Sequence, residues 1–94
     1  MDRVSDSFEW DVEKDQANIR KHGIGFEKAS RAFLDPKRKI YKDSKHSAVE
    51  PRFFCIGKVA GRVLTVRFVR RGERIRIIGA GYWRKGRAYY EKED

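Results

Sequence analysis

Two dipeptides ending in glycine, Ala60-Gly61 and Arg71-Gly72, divide the run 52–79 into three segments rich in aromatic and β-branched residues. Glycine takes positive φ with no Cβ penalty, so each dipeptide suits a two-residue hairpin loop and the run reads as three antiparallel strands. Taken as the loop residues, the dipeptides set a register in which Cys55 faces Val66, Phe53 faces Phe68, Phe68 faces Ile75 and Val66 faces Ile77. Side chains alternate between the two faces of a strand. Phe53, Cys55, Leu64, Val66, Phe68, Ile75 and Ile77 therefore share one apolar face, the expected core side.

The other face collects Arg52, Phe54, Ile56, Thr65, Arg67, Arg74 and Arg76, with Arg67 expected directly across from Arg76. Like charges at opposed positions destabilise a sheet. Such a face calls for something anionic, either acidic side chains from elsewhere in the fold or a polyanionic ligand. The plainer alternative is a solvated face whose long side chains splay apart.

The 94-residue length fits a single domain over 1–94, with room for one modest core. Lys+Arg 23 against Asp+Glu 14 gives a net charge of +9, which points to phosphate-rich partners. No apolar run reaches spanning length, and no helix pairs a basic face with a broad apolar one, so no membrane role is expected. The opening MDRVSDSFEW is polar and unlike a signal peptide, which makes the cytoplasm the expected compartment. Cys55, the sole cysteine, rules out an internal disulfide and reads as a small buried hydrophobe.

Ahead of the strands, residues 1–6 read as a flexible lead and Phe8-Glu9-Trp10 as a short strand at the sheet edge. Asp11 is placed to cap a helix running to His22, and Gly23 to end it. On this helix Lys14, Asn18 and Lys21 share one face with His22 beside them, either a solvated surface or a second wall of basic and hydrogen-bonding groups. A second helix is expected over 26–34, with Phe26, Ala29 and Phe33 as its core stripe and Asp35-Pro36 as its stop. The segment 37–43 is basic, with a strand in its second half. Asp43, His46 and Glu50 lie in a polar loop and lack any metal-ligand spacing. The chain closes on a short aromatic and basic tail, Tyr82 to Glu91, helical at most in part and suited to base stacking or to docking on a surface.

The run Trp10-Asp11, Lys14, Asn18, Lys21-His22-Gly23, Phe26, Ala29, Phe33, Asp35-Pro36 resembles the N-terminal signature of the BrnT-type toxins. Asp43, His46, Glu50 and Arg52 resemble that family's middle motif, and Arg71-Gly72 with the following Arg74-Ile75-Arg76-Ile77-Ile78 its closing hairpin. The resemblance implies an α+β, RelE-like fold: two N-terminal helices packed on an antiparallel sheet. It implies a ribonuclease without metal or other cofactor, acting on RNA, held inactive by a BrnA-type antitoxin and meeting operator DNA only as the toxin–antitoxin complex. One departure is visible: Gly79-Ala80-Gly81 stands where the family pattern has Ser-Ala-Arg, with Arg84 and Arg87 as candidate substitutes.

Metal-free cleavage of RNA requires the 2′-hydroxyl to attack the adjacent phosphorus and the departing 5′-oxygen to be protonated. Arginines aimed at the developing phosphoryl charge stabilise the transition state. The catalytic candidates are Arg76, Arg52 and Arg71, then Lys21 and His22, then His46, with Glu50 as a carboxylate base or as the neutralising partner of Arg52. Arg67, Arg74, Lys14, Asn18 and Arg84 are the candidate RNA contacts. The competing expectation is a module of the same fold that binds nucleic acid or antitoxin without catalysis.

Overall fold

A computed structural model describes residues 2–4 and 7–92. The chain runs β1 (Asp2–Val4), β2 (Phe8–Asp11), α1 (Val12–His22), α2 (Phe26–Ser30), a 3₁₀ turn (Arg31–Leu34), β3 (Lys39–Lys42), a second 3₁₀ turn (Ser44–His46), β4 (Arg52–Val59), β5 (Arg62–Arg71), β6 (Arg74–Gly81) and α3 (Arg84–Glu91). The strands form one sheet in the order β1-β2-β6-β5-β4-β3. This α+β architecture differs from the expected all-antiparallel sheet, because β2 pairs parallel to β6 through Phe8↔Ile75 and Glu9↔Arg76. Residues 2–4, expected as part of a flexible lead, pair antiparallel with β2 and take the edge instead; positions 1, 5 and 6 lie outside the described residues.

Helix α1 forms where its caps require. The Asp11 carboxylate accepts from the Glu13 N–H at 3.1 Å, and Gly23 closes the helix at φ 72° by donating to Ile19 O at 2.8 Å. Glu13 and Asp15 near the start and Arg20, Lys21 and His22 near the end complement the helix dipole. Asp15 also accepts from the Phe26 N–H at 2.7 Å and so holds the entry to α2. The second helix lasts five residues before tightening into the 3₁₀ turn. Phe26, Ala29 and Ala32 are fully buried, and the half-buried Phe33 ring packs on Phe68 at 5.1 Å and Phe8 at 5.3 Å.

The expected apolar face of the three-stranded run is the core face. Cys55, Leu64, Val66, Phe68 and Ile77 are buried there with Ile24, Phe26, Ala29, Ala32 and Ala80, and Phe53 and Ile75 pack at the margin. Burial pushes the Cys55 thiol up to about 12, consistent with a packing role. The β4–β5 register is the expected one, with Ala60 and Gly61 both at positive φ as a primed turn needs. The β5–β6 register is not. Its loop residues are Gly72 and Glu73, with Arg71 opposite Arg74, and Ile78 is an extra residue between the pairs Phe68↔Ile77 and Arg67↔Gly79. Arg67 is thus not across from Arg76. The hairpin moved the register by two residues, which keeps Arg74 and Arg76 on their expected face.

The C-terminal segment is more than a partly helical tail: α3 covers half of the sheet face opposite the core. Gly86 lies so close to Thr65 that a Cβ on it would meet Oγ1 at 1.9 Å. Ile56 and Thr65, expected on an open face, are buried beneath it. Tyr90 donates to Asp35 at 2.5 Å, the Tyr41 and Tyr89 rings meet at 5.0 Å, and the Lys39 ammonium donates to Tyr89 O and Lys92 O at the helix C-terminus. No helix among the described residues is long and apolar enough to cross a membrane.

Candidate functional site

The half of that face left open by α3 is organised around Val69. Arg52 and Arg76 flank it across the sheet, in register on β4 and β6. Arg67 and Arg71 flank it along β5, about 7 Å away at strand rise. Four arginine stems thus surround Val69, which is only 2% exposed although it points away from the core. Lys14, Glu50 and Ile78 complete a shallow cavity of about 170 Å³ over this centre.

Two of the four guanidinium groups are held by carboxylates. Arg76 donates to Glu9 at 2.6 Å and to both Asp2 oxygens at 3.1 and 3.2 Å. Arg71 grips Glu50 in bidentate fashion, Nη2 to Oε1 at 3.1 Å and Nη1 to Oε2. These hydrogen bonds hold the Asp2 and Glu50 carboxyls below the usual carboxylate range and push Arg71 and Arg76 higher still. Glu50 therefore neutralises Arg71, not Arg52 as the sequence suggested. Among the described residues, the Arg52 and Arg67 guanidinium groups and the Lys14 ammonium have no hydrogen-bond or ion-pair partner. Of the two expected sources of negative charge, acidic side chains meet two of the arginines, and the other two have no carboxylate in contact.

Arg67 is shaped by the glycines of β6. Its guanidinium lies on Gly79, where a Cβ would meet Nη2 at 2.6 Å, and faces the Trp83 ring at 5.8 Å. The His22 ring meets the same indole edge-on at 5.7 Å. Helix α1 runs beside β6, so three residues at successive i+4 positions mark its length: Lys14 at the cavity, Asn18 at Ala80, His22 at Trp83. Asn18 is wholly engaged with backbone. Its amide donates to Ile24 O at 2.9 Å and Ala80 O at 3.0 Å, and its oxygen accepts from the Ala80 N–H at 3.3 Å. In this way a side chain pairs the edge of β6 where β2 has ended.

The remaining candidates are dispersed. Lys21 is exposed and lines neither this cavity nor the groove described next. Arg74 sits at the hairpin mouth outside the cavity. His46 is held at Nδ1 by Asp43 at 3.0 Å, on the wall of a separate groove that also contains Arg84. Asp43, His46 and Glu50 do not converge, and no group of three potential metal ligands exists among the described residues. Sequence reasoning passed over Trp83, Glu9 and Asp35 as organising residues. Glu9 was legible in principle, since a parallel strand beside β6 brings a carboxylate against one of its arginines.

Among curated proteins, none matches the chain. A family model described as "Ribonuclease toxin, BrnT, of type II toxin-antitoxin system" matches residues 10–86. That span takes in α1, every strand except β1 and the beginning of β2, and the first turn of α3, and with them the whole lining of the arginine cavity. A ribonuclease toxin acts on RNA and is paired with an antitoxin, and the chain belongs to the BrnT family of type II toxin–antitoxin ribonucleases.

Proposed function

We propose that the arginine cavity around Val69 is the ribonuclease site, and that it cleaves RNA without a metal ion. The observation that carries this reading is the pair Arg52 and Arg67 without carboxylate partners, with Lys14, beside two arginines paired with carboxylates. Five cationic side chains around one carboxylate make a hostile site for a divalent cation and a favourable one for a phosphodiester.

In the proposed reaction the O2′–P bond forms as the P–O5′ bond breaks. Arg52 and Arg67 donate to the phosphoryl oxygens as charge develops there, with Lys14 closing the cradle. Glu50, ionised and oriented by Arg71, accepts the 2′-hydroxyl proton. Arg76 is a positioning residue, tied to Asp2 and Glu9. Neither histidine lines the cavity, so the departing 5′-oxygen takes its proton from water.

Helix α2 on the core face, α1 along the edge of β6 and arginines on the opposite face are compatible with a RelE-like arrangement. A BrnA-type antitoxin would cover the basic face, and operator binding would belong to the complex, in the cytoplasm. The absence of a histidine from the cavity favours one rival, a fold that grips RNA without cutting it.

The test is cleavage of single-stranded RNA in EDTA by the wild type and by Arg52→Ala, Arg67→Ala and Glu50→Gln. Fragments ending in a 2′,3′-cyclic phosphate are expected from wild type. The rate should fall on the order of 10²-fold or more in Glu50→Gln with RNA binding retained. Intact RNA under salt-sensitive binding would leave the non-catalytic reading standing.

A further inference from the structure

A second concave site lies on the same sheet face, between α3 and the chain joining β3 to β4. It is a groove of about 670 Å³ whose floor is Phe54, Ile56 and Thr65. Three aromatic side chains on its walls are exposed well beyond what core packing would leave: Tyr41 at 37%, Trp83 at 36% and Tyr89 at 39%. Its rim carries Lys42, Lys45, Arg84 and Lys85. The one carboxylate in the lining, Asp43, is 8% exposed and bound to His46.

Thr65 Oγ1 lies against Gly86 of α3, where a Cβ would meet it at 1.9 Å, and is buried under the helix. It is the one buried side-chain oxygen or nitrogen among the described residues without a hydrogen-bond partner. Buried hydroxyls usually find one. The two walls touch at one point, where the Tyr41 and Tyr89 rings meet at 5.0 Å, and each wall is anchored from outside the groove. On one side Ser47 bridges the 3₁₀ turn to β4, donating to Asp43 O at 2.5 Å and accepting from the Arg52 N–H at 3.0 Å. On the other, Asp35 and Lys39 anchor α3.

We infer that this groove receives an unstacked nucleobase of the bound RNA, whose backbone continues from the arginine cavity along the Arg67–Trp83 contact. The inference rests on the reading of that cavity as the RNA site. Exposed rings with a cationic rim suit a planar apolar group attached to a polyanion, because stacking tolerates any base while the rim neutralises its phosphates. Phe54, on the floor, is the cross-strand partner of Arg67, so groove and cavity are adjacent positions on one surface. An aliphatic side chain of a protein partner would fill the same volume, but it brings no negative charge for the four rim cations.

The probe is a 2′-O-methyl hexanucleotide, which has no 2′-hydroxyl to react, together with versions carrying one abasic site at each position. Binding is read by fluorescence anisotropy at fixed salt. One abasic position should weaken binding to the wild type roughly tenfold, and Tyr89→Ala should bind that probe and the intact one alike. Tyr41→Ala is the second variant, with a thermal melt on each to exclude loss of α3. Equal affinity of the wild type for all probes overturns the inference. So does an abasic penalty unchanged in both variants. Weaker association with the cognate antitoxin in Tyr89→Ala, with RNA binding untouched, reassigns the groove to the protein partner. Binding that ignores Arg52→Ala and Arg67→Ala overturns the underlying reading of the cavity instead, whatever the abasic series gives.

Discussion

Trp83 lies across Gly81 so closely that a Cβ on the glycine would meet three atoms of the indole at 2.7, 2.8 and 2.9 Å. From the sequence, Gly81 looked like the loss of an arginine. In the fold it is the space that lets the indole settle against Arg67 and His22, at the junction of cavity and groove.

A side chain at position 81 must therefore displace Trp83. Gly81→Ala should cost about 1–3 kcal/mol, the usual range for overpacking. The cost should largely vanish when the indole is absent, so a double-mutant cycle with Trp83→Ala in urea melts measures the coupling. Additive effects would show that the glycine is needed for another reason.

Asn18 predicts a stability effect with no effect on charge. Asn18→Ala leaves Ala80 N–H, Ala80 O and Ile24 O without their partner, and a loss of about 1–3 kcal/mol follows for unsatisfied, partly buried groups. Hydrogen exchange at the Ala80 amide should rise in step. If RNA affinity fell while melts and exchange stayed at wild-type values, Asn18 would be a ligand contact after all.

Arg67 and Arg76 should part company on mutation. Arg67→Ala removes a guanidinium with no carboxylate partner, so folding should hold while the salt dependence of RNA binding loses about 0.7 from its slope, one phosphate's worth on a single strand. Arg76→Ala strands Glu9, whose side chain is 14% exposed, and unties β1, so its Tm should fall by on the order of 5 °C. Equal melts for the two variants would contradict this division.

The docking of α3 should weaken at high pH. Accepting from Tyr90, the Asp35 carboxylate pushes the phenol up to about 12 from an ordinary 10.0. A raised pKa contributes stability that is complete below pH 10 and is lost as pH climbs through about 12. Near-UV circular dichroism should report release of Tyr90 in that window, and Tyr90→Phe should abolish the transition. Asp35 gives the mirror effect. Burial alone would raise its pKa, but Tyr90 and the N–H groups of Lys58 and Lys37 hold it below the usual range, so its contribution is present above about pH 4 and declines under acid.

Elements whose signals are local were legible from the residues alone. Asp11 and Gly23 bound α1, Asp35-Pro36 stops the following helical segment, and alternation along 52–77 separates the core side chains from the arginines. Alternation depends only on parity, which explains why the faces survived a cross-strand register shifted by two residues. The position of the Gly72-Glu73 loop and the bulge at Ile78 depend on how β6 packs between two neighbours, one of them parallel and distant in sequence. For the site, the residue types were readable and their partners were not. Charge counting cannot tell that Glu50 meets Arg71, that Asp2 and Glu9 converge on Arg76, or that Arg52 and Arg67 are left over. Those pairings join residues up to 74 positions apart, and only the folded sheet brings them within hydrogen-bonding distance, where short-range electrostatics decides which arginines are left without a carboxylate.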